Sequence, residues 1–372
     1  MHQDIFRLAV ELRHELHAHP ELSNQEKETK RRLMDFLRTH STRLELADRG
    51  RWFYAVYRAG SERPSIAFRA DFDAIPVEDR CGKPYVSQNP GVGHKCGHDG
   101  HSAALAALAL EIDRDGADKN VYFLFQHAEE TGDGAKECVA LLEEERIDEI
   151  YAFHNRPGYP LGQVRVLDGT VYCASEGMIL SFLGTPSHAS LPELGRNPAY
   201  AIAELVCALP GLTDPASHRG LVLATVIQID VGEPAFGVQA SRGRLLLTIR
   251  GQYEEELAAL RGAVRALAEQ KAARDGLELQ ISFQDVFPAT VSHAASNEKL
   301  RRCCRELGLD CVQMPEPFRS SEDFGWYTKR IPGAFFEIGG GPGTDLHTAD
   351  MDFNDEIIPI AVSLYRRILA ES

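Results

Sequence analysis

The sequence has no excess of positive charge. Its 372 residues include 40 lysines and arginines against 55 aspartates and glutamates, a formal net charge of −15 at pH 7. Because nucleic-acid binding requires a basic face, this balance argues against a nucleic-acid partner. It leaves the substrate open, since an acidic surface can surround a locally positive metal site.

Long hydrophobic runs and a paired cysteine framework are also missing. No stretch approaches the length of a membrane span. The N-terminal segment, residues 1–20, is amphipathic and contains charges, which excludes an ordinary signal peptide. The eight cysteines are scattered along the chain. Free thiols in a reducing compartment are the simplest interpretation, so we expect a cytoplasmic protein with no membrane partner.

Strand-like and helix-like segments alternate in the first part of the chain. Strands are predicted over 65–71, 121–126 and 149–155, and helices over 101–113 and 134–145. The second of these strands has no polar break, so both of its faces should be covered. This alternation predicts an α/β fold with a mostly parallel sheet.

The middle of the chain has a different order of predicted strands and helices. Strand, helix, strand, strand, helix and strand follow one another between residues 177 and 286, which is the ferredoxin-like order. The second helix is predicted to end at Gly276, as helices often end at glycine. We therefore expect residues 176–287 to form an inserted α+β domain, and residues 1–175 and 288–372 to form the α/β domain around it.

Side chains that commonly bind metals lie where the predicted strands end. The segment HKCGHDGH, residues 94–101, holds three histidines, a cysteine and an aspartate. Ligands gather outside the carboxyl ends of strands in open α/β sheets, so these ends together predict a metal centre. The other candidates are Asp71, Asp73, Glu129, Glu130, His154 and His347.

The spacing of the candidates adds detail. Cys96 and His98 should face the same way in an extended segment, and Gly97 between them permits a tight turn. Glu129 and Glu130 should point apart, so that one binds metal while its neighbour handles protons. Thiolate, imidazole and carboxylate together favour zinc, with manganese, cobalt or nickel as alternatives.

Each candidate also has an ordinary interpretation when taken alone. An HxxP pattern and a pair of adjacent glutamates are typical of surface or loop positions. Cys96 alone would be a buried structural thiol, and His347 alone would pack in a turn. His94 and His101 are either ligands, partners of ligands or helix caps. Three aspartates are more typical of residues that orient a ligand imidazole: Asp71, Asp73 and Asp99.

Seven segments together resemble the dinuclear metal amidohydrolases. This group includes aminoacylases, hippurate hydrolases and indole-acetyl-amino acid hydrolases, a branch of the carboxypeptidase and deacetylase family. The segments follow the family's order over nearly the whole chain. They are RADFDAIPVE, GHKCGHDGH, FQHAEETGDGA, HNRPGYPLG, GTPSHASLPELGRNP, SSEDF and LHTADMDFND.

The resemblance implies a site built on two divalent metal ions, with Cys96 as a bridging ligand. It makes Glu129 the general base, which takes a proton from the metal-bridging water and delivers it to the leaving amine. It places Asp73 behind the metals, and it gives His188 the task of holding the substrate carbonyl oxygen. The implied metal ligands are Cys96, His98, Glu130, His154 and His347.

The resemblance also implies roles for the inserted domain, residues 176–287. In this family such a domain serves as a lid and as the dimerisation domain, and it can offer His188 to the partner's active site. Gly237 stands where relatives usually have an asparagine that contacts the substrate. Arg250 either reaches a substrate carboxylate or forms a surface ion pair.

We therefore expect a metal-dependent hydrolase that cleaves the amide bond of small N-acylated amino acids. A dipeptidase or carboxypeptidase with the same metal centre is the nearest alternative. A non-catalytic relative that binds metal or a small ligand is another, but a binding protein has no use for Glu129. A two-metal phosphoesterase would prefer oxygen ligands, and Cys96 argues against it.

Overall fold

The computed structural model describes residues 1–371, and the chain divides into two compact units. The large unit comprises Met1–Val171, Thr290–Pro317 and the chain from Glu322 onward. The small unit comprises Tyr172–Ala289 and Phe318–Ser321. In sequence, the small unit is therefore an insertion in the large one.

The regular elements follow in chain order. The helices are α1 (Gln3–Ala18), α2 (Lys27–His40), α3 (His98–Asp115), α4 (Gly134–Cys138), α5 (Leu141–Glu144), α6 (Pro198–Leu212), α7 (Glu254–Asp275), α8 (Ala294–Leu307), α9 (Gly325–Thr328) and α10 (Ile357–Glu371). The strands are β1 (Glu45–Arg49), β2 (Trp52–Tyr57), β3 (Ser65–Asp71), β4 (Asn120–Gln126), β5 (Glu149–Arg156), β6 (Val164–Val166), β7 (Gly169–Tyr172), β8 (Ala174–Leu183), β9 (Val222–Val231), β10 (Arg242–Gly251), β11 (Glu278–Phe287), β12 (Thr290–Ser292), β13 (Cys311–Gln313) and β14 (Gly333–Gly339).

The large unit is built on an eight-stranded sheet with the order β1-β2-β4-β3-β5-β14-β6-β13. Its centre, β4-β3-β5-β14, is parallel throughout, which confirms the predicted mostly parallel sheet. Strands β3, β4 and β14 are buried along their whole length, as expected for strands covered on both faces.

Helix α3 lies at the centre of this unit's core. Its alanines and leucines from Ala103 to Leu110 are all buried, and small side chains let neighbouring elements approach closely. The helix begins directly after Gly97 and ends before Gly116, and both glycines have a positive φ. The two glycines therefore set the limits of the helix whose first turn carries His98.

The small unit has a four-stranded antiparallel sheet with the order β11-β8-β10-β9. Helices α6 and α7 pack against it, and buried residues alternate along β8 and β10, so one face of the sheet meets the helices. The element order and strand order are those of a ferredoxin-like fold, which confirms the prediction. Helix α7 ends directly before Gly276, as predicted, and Gly276 adopts the left-handed conformation.

One predicted helix is interrupted. Residues 134–145 form two short helices, α4 and α5, rather than one. Between them, the amide of Leu142 bonds the carbonyl of Val139, and the amide of Glu143 bonds that of Ala140. These bonds span three residues rather than four, so the chain tightens and the regular α-helix stops.

No helix within residues 1–371 is both long enough and apolar enough to cross a bilayer.

Candidate metal centre and active site

Neighbouring parallel strands bring the candidate residues of the large unit to one edge of the sheet. Asp71 ends β3, Glu129 and Glu130 follow β4, and His154 lies near the end of β5. Strands β4, β3 and β5 are adjacent and parallel, so their carboxyl ends meet. The predicted candidates therefore converge for the reason expected of open α/β sheets.

The segment before α3 makes a tight turn at Gly97. This glycine has φ +103°, and a Cβ there would collide with the side chain of Asn155. Cys96 and His98, on either side of it, are both buried. The turn lets a thiol and an imidazole two residues apart face one point. The segment is therefore not extended, contrary to the prediction.

The five proposed ligands form two overlapping groups. The ligand atoms of Cys96, His98 and His154 lie within 4.8 Å of one another, and so do those of Cys96, Glu130 and His347. The Cys96 sulfur is 3.2 Å from His154 Nε2, and His347 Nε2 is 3.5 Å from Glu130 Oε1. Cys96 belongs to both groups, so its sulfur lies where two ions would share a ligand.

Asp73 lies behind His98. One of its carboxylate oxygens is 3.0 Å from His98 Nδ1, and the other accepts from the amide of Glu130 at 3.0 Å. The hydroxyl of Ser23 donates to the same second oxygen at 2.7 Å. This arrangement directs His98 Nε2 into the site, which is how carboxylates orient metal-binding imidazoles.

The prediction that Glu129 and Glu130 point apart is wrong. They lie in a turn rather than an extended segment, directly after Ala128, which has φ +48°. Glu129 Oε2 and Glu130 Oε1 are each 3.8 Å from the same atom, His98 Nε2. The two carboxylates therefore share one pocket, with Glu129 buried and Glu130 half-buried.

The electrostatics of the site reflect burial and crowded negative charge. Burial, with Glu322 and Glu130 nearby, raises the pKa of Glu129 well above its usual value. Burial likewise raises the pKa of the Cys96 thiol. Burial opposes a charge on His98, but the charges of Asp71 and Cys96 outweigh it and raise its pKa. A cation placed among these groups would offset this repulsion and hold the thiol as thiolate.

Two orphaned atoms support the fit of metal ions to this site. His98 Nε2 and Glu130 Oε1 are buried, yet neither has a hydrogen-bond partner among the described residues. Buried polar atoms without partners are rare, and here both belong to residues that are grouped with Cys96. Thiolate, imidazole and carboxylate are ligands that borderline metals such as zinc accept.

His101 and Asp71 have hydrogen-bond partners in the protein instead, whereas His94 has none among the described residues. His101 Nδ1 is 2.7 Å from Asp71 Oδ1, and its Nε2 is 2.7 Å from the side-chain oxygen of Asn155. Asp71 also accepts from Arg69 at 2.7 Å. His94 is buried, and neither of its ring nitrogens has a partner among residues 1–371.

His17 was not among the candidate residues predicted from the sequence. Its ring is fully buried near the end of α1, and its two nitrogens lie 2.7 Å from Asp99 and 3.1 Å from Asp79. One signal was present in the sequence: Arg13 and His17 are four residues apart, so they share one helix face, beside the apolar positions of α1.

His188 belongs to the small unit, in the loop after β8. Its Nδ1 accepts a hydrogen bond from the amide of Ser190 at 3.1 Å and lies 2.7 Å from the Ser190 hydroxyl. A neutral His188 therefore carries its hydrogen on Nε2, where it can donate. The loop containing Gly237 and Val238 runs beside it, and a side chain at Gly237 would meet no atom within 4 Å.

Arg250, in β10, hydrogen-bonds neutral groups. Its Nη1 donates to the Ser321 hydroxyl at 2.6 Å and to the Arg319 carbonyl at 3.1 Å. No carboxylate within residues 1–371 forms an ion pair with it, so the predicted alternative of a surface ion pair is not observed. Burial lowers its pKa.

This chain is similar to known proteins in sequence and in fold. An N-acetyl-L-cysteine deacetylase from Bacillus subtilis (strain 168) is 29% identical over 341 residues, covering 91% of this chain and 82% of that protein. An N-acetyldiaminopimelate deacetylase from Lacticaseibacillus casei (strain BL23) is 29% identical over 364 residues, covering 92% and 91%. The crystal structure of a dinuclear metal-binding peptidase of family M20 from Bacillus subtilis matches with a TM-score of 0.84 at 23% identity, covering 100% of this chain and 99% of that one, and this likeness shows the fold.

The family assignment follows from the extent of the sequence match. Residues 67–371, well over half of the chain, match the peptidase family M20/M25/M40. The predicted resemblance to metal-dependent amidohydrolases is thereby confirmed. The chain belongs to peptidase family M20/M25/M40.

Proposed function

We propose that this protein hydrolyses the amide bond of small N-acylated amino acids at a site that binds two divalent metal ions, with zinc as the first candidate and manganese, cobalt or nickel as alternatives. The observation that carries the proposal is the pair of ligand groups that share Cys96. The carboxylate of Glu129 lies in the same pocket, as a second carboxylate beside Glu130. Two relatives named as deacetylases of N-acetylated amino acids support the substrate class.

The metal ions, when bound, would polarise the substrate carbonyl and make a water molecule a better nucleophile. Five side chains would hold them: Cys96, His98, Glu130, His154 and His347. Asp73 fixes the ring of His98 through Nδ1, so that its Nε2 points towards Glu129 and Glu130 and would be available to a metal ion. The carboxylates and the thiol of the pocket would supply negative charge to bound cations, and they are ligands that borderline metals accept.

Glu129 moves the proton in this proposal. Its carboxylate lies in the pocket with Glu130 and is not required as a ligand in either group. It takes a proton from the attacking water as the new C–O bond forms. It then gives that proton to the amine nitrogen as the C–N bond breaks, so that a carboxylic acid and an amine leave.

His188 would steady the carbonyl oxygen as negative charge develops on it. The amide of Ser190 occupies Nδ1, so the free Nε2–H of His188 is the donor. A preorganised donor of this kind stabilises the transition state more than the ground state. Arg250, whose partners are neutral, is proposed to bind the carboxylate of the substrate.

We further propose that the small unit mediates a homodimer. Strand β9 is an edge strand of the four-stranded sheet, and its Ile227 and Ile229 are more than half exposed. Phe236 and Val238, in the loop between β9 and β10, are exposed as well. An edge strand with exposed apolar residues can pair with the same strand of a second copy, as in a two-fold interface.

The dimer proposal is tested by molar mass in solution. The double variant Ile227→Lys/Ile229→Lys should be monomeric by light scattering, whereas the control Leu307→Lys, at an exposed residue of the large unit, should remain dimeric. A parent protein that is monomeric at micromolar concentration would contradict the proposal.

Turnover of defined substrates tests the proposed reaction. Purified protein reconstituted with zinc or manganese is given N-acetyl amino acids, N-benzoyl amino acids and dipeptides, and mass spectrometry identifies the products. Release of acid and amine from the N-acyl compounds is expected. Cleavage of dipeptides alone would instead assign a dipeptidase, and no cleavage of any substrate would reject hydrolysis of this class.

The variant Glu129→Gln tests the assigned base. It should retain metal and lose about a hundred- to ten-thousand-fold in kcat, because the amide cannot accept the proton. The control Glu143→Gln changes a glutamate whose side chain is 76% exposed and should behave as the parent. Parent-like turnover by Glu129→Gln would show that another group moves the proton.

A further inference from the structure

A ring of buried charges surrounds the segment that holds two proposed ligands. Asp99, in the first turn of α3, is 2.7 Å from His17 Nδ1, and Asp79 is 3.1 Å from His17 Nε2. The ammonium of Lys95 binds the other oxygen of Asp79. The side-chain contacts therefore link the two ends of the segment Lys95–Asp99. Lys95 contacts Asp79, Asp79 contacts His17, and His17 contacts Asp99, so Cys96 and His98 lie within a closed set of contacts.

Geometry sets the charge state of His17. Each ring nitrogen faces a carboxylate, and an ionised carboxylate only accepts hydrogen bonds. Both nitrogens must therefore carry hydrogen, which makes the ring an imidazolium. Both carboxylates have further donors: the amides of Cys81 and Ser87 bond Asp79, and Arg13 lies 3.7 Å from Asp99.

The charged side chains of this set of contacts are buried, so water cannot replace a lost partner. His17, Lys95 and Asp99 have no exposed side-chain surface, and that of Asp79 is 1% exposed. A buried carboxylate that loses one of its cationic partners keeps its charge with less compensation, which is unfavourable. Loss of the His17 charge would leave Lys95 as the cation beside Asp79, and Arg13, 3.7 Å away, as the cation beside Asp99. The chain between Lys95 and Asp99 would then be held by fewer contacts.

The segment also connects to a third proposed ligand. The carbonyl of Lys95 accepts the amide of His347 at 2.7 Å. Displacement of Lys95 would therefore shift His347 together with Cys96. We propose that His17 is a positioning residue, whose imidazolium holds Asp79 and Asp99 and thereby fixes the segment Lys95–Asp99 in the geometry that binds metal. The proposal rests on the proposed function only in naming Cys96, His98 and His347 as ligands.

Metal affinity is the direct test. His17→Gln can bond one aspartate but cannot bridge two as a cation, so the zinc affinity of the chelator-stripped protein should fall about 10- to 100-fold. The control His14→Gln changes a histidine one turn earlier in α1, whose partner is Asp355 at 3.0 Å, and should bind zinc as the parent does. Equal zinc affinity of His17→Gln and His14→Gln would overturn the proposal.

A readout without metal separates this proposal from the proposed function. Amide hydrogen exchange of residues 95–99 in the metal-free protein should be faster in His17→Gln than in His14→Gln. If the parent binds no metal but exchange responds as described, the ligand assignment fails and the positioning role stands. Unchanged exchange in a folded His17→Gln protein would reject the positioning role.

The parent protein alone gives a third test, which holds even if His17→Gln does not fold. Nitrogen-15 NMR of the imidazole should show both His17 nitrogens protonated at pH 7.5. A neutral ring at that pH would overturn the proposal, because a neutral ring cannot donate to both aspartates.

Discussion

The charge on His17 makes the stability of this protein depend on pH. Burial alone would lower the pKa of His17, but the charge of Asp99 and the hydrogen bonds to Asp79 and Asp99 outweigh it and raise the pKa from 6.5 to about 9. At about 1.4 kcal/mol per pKa unit, this rise corresponds to about 3 kcal/mol of stability. Four other ionisable groups lie beside the ring: Cys81, 3.8 Å from Nε2, Arg13, Tyr85 and His94.

The direction of this pH dependence follows from comparing proton binding by His17 in the folded and unfolded states. Below the unfolded-state pKa of 6.5, both states hold the proton and the contribution is complete. Between 6.5 and about 9 only the folded state holds it, and the contribution falls by about 1.4 kcal/mol per pH unit. Above a pH of about 9 the contribution is lost. Stability from this group therefore declines as the pH rises.

Urea unfolding of the metal-free protein at several pH values measures this slope. The difference in unfolding free energy between the parent and His17→Gln should shrink by about 3 kcal/mol from pH 6 to pH 10. His14→Gln should keep a constant difference from the parent. A difference between parent and His17→Gln that does not change with pH would refute the charged state of His17.

Four further outcomes are expected. Gly97→Ala should lose at least about 1–3 kcal/mol of stability, because φ is +103° and the methyl group would collide with Asn155. Thermal unfolding measures this loss. The control Gly91→Ala has φ +77° but open space around the new methyl group, and it should lose less stability. His188→Ala should lower kcat about 10- to 1,000-fold with unchanged metal content, and parent-like kinetics would remove its assigned role. Cys96→Ser should weaken metal binding measured by chelator competition, and an unchanged affinity would exclude the thiolate as a ligand. Chelation should abolish turnover and added zinc or manganese should restore it; activity that survives complete metal removal would contradict metal dependence.

The fold was predictable because its signals are local. Uninterrupted apolar runs gave the buried strands, the alternation of elements gave the mostly parallel sheet, and the β-α-β-β-α-β order gave the ferredoxin-like unit. The family and its class of reaction, hydrolysis of amide bonds, followed from the motifs and were confirmed. The break between α4 and α5 was missed, because a change from four-residue to three-residue hydrogen bonds leaves no clear mark in composition.

The location of the site was predictable from the strand ends, but the arrangement of its side chains was not. Sequence spacing suggested that Glu129 and Glu130 diverge, but the left-handed Ala128 places them in a turn, where both approach His98. The roles of His17 and Asp79 were missed, because their contacts join residues 62 positions apart. Only tertiary packing creates such a contact. The shared helix face of Arg13 and His17 was a sign of their burial, but it did not identify their partners.

Crystals of the protein reconstituted with zinc or manganese, measured at the metal's absorption edge, test the central claim most directly. The account predicts two anomalous peaks, with Cys96 contacting both and with His98, Glu130, His154 and His347 completing the ligands. A single peak elsewhere, or none at this pocket in crystals with stoichiometric metal, would contradict it.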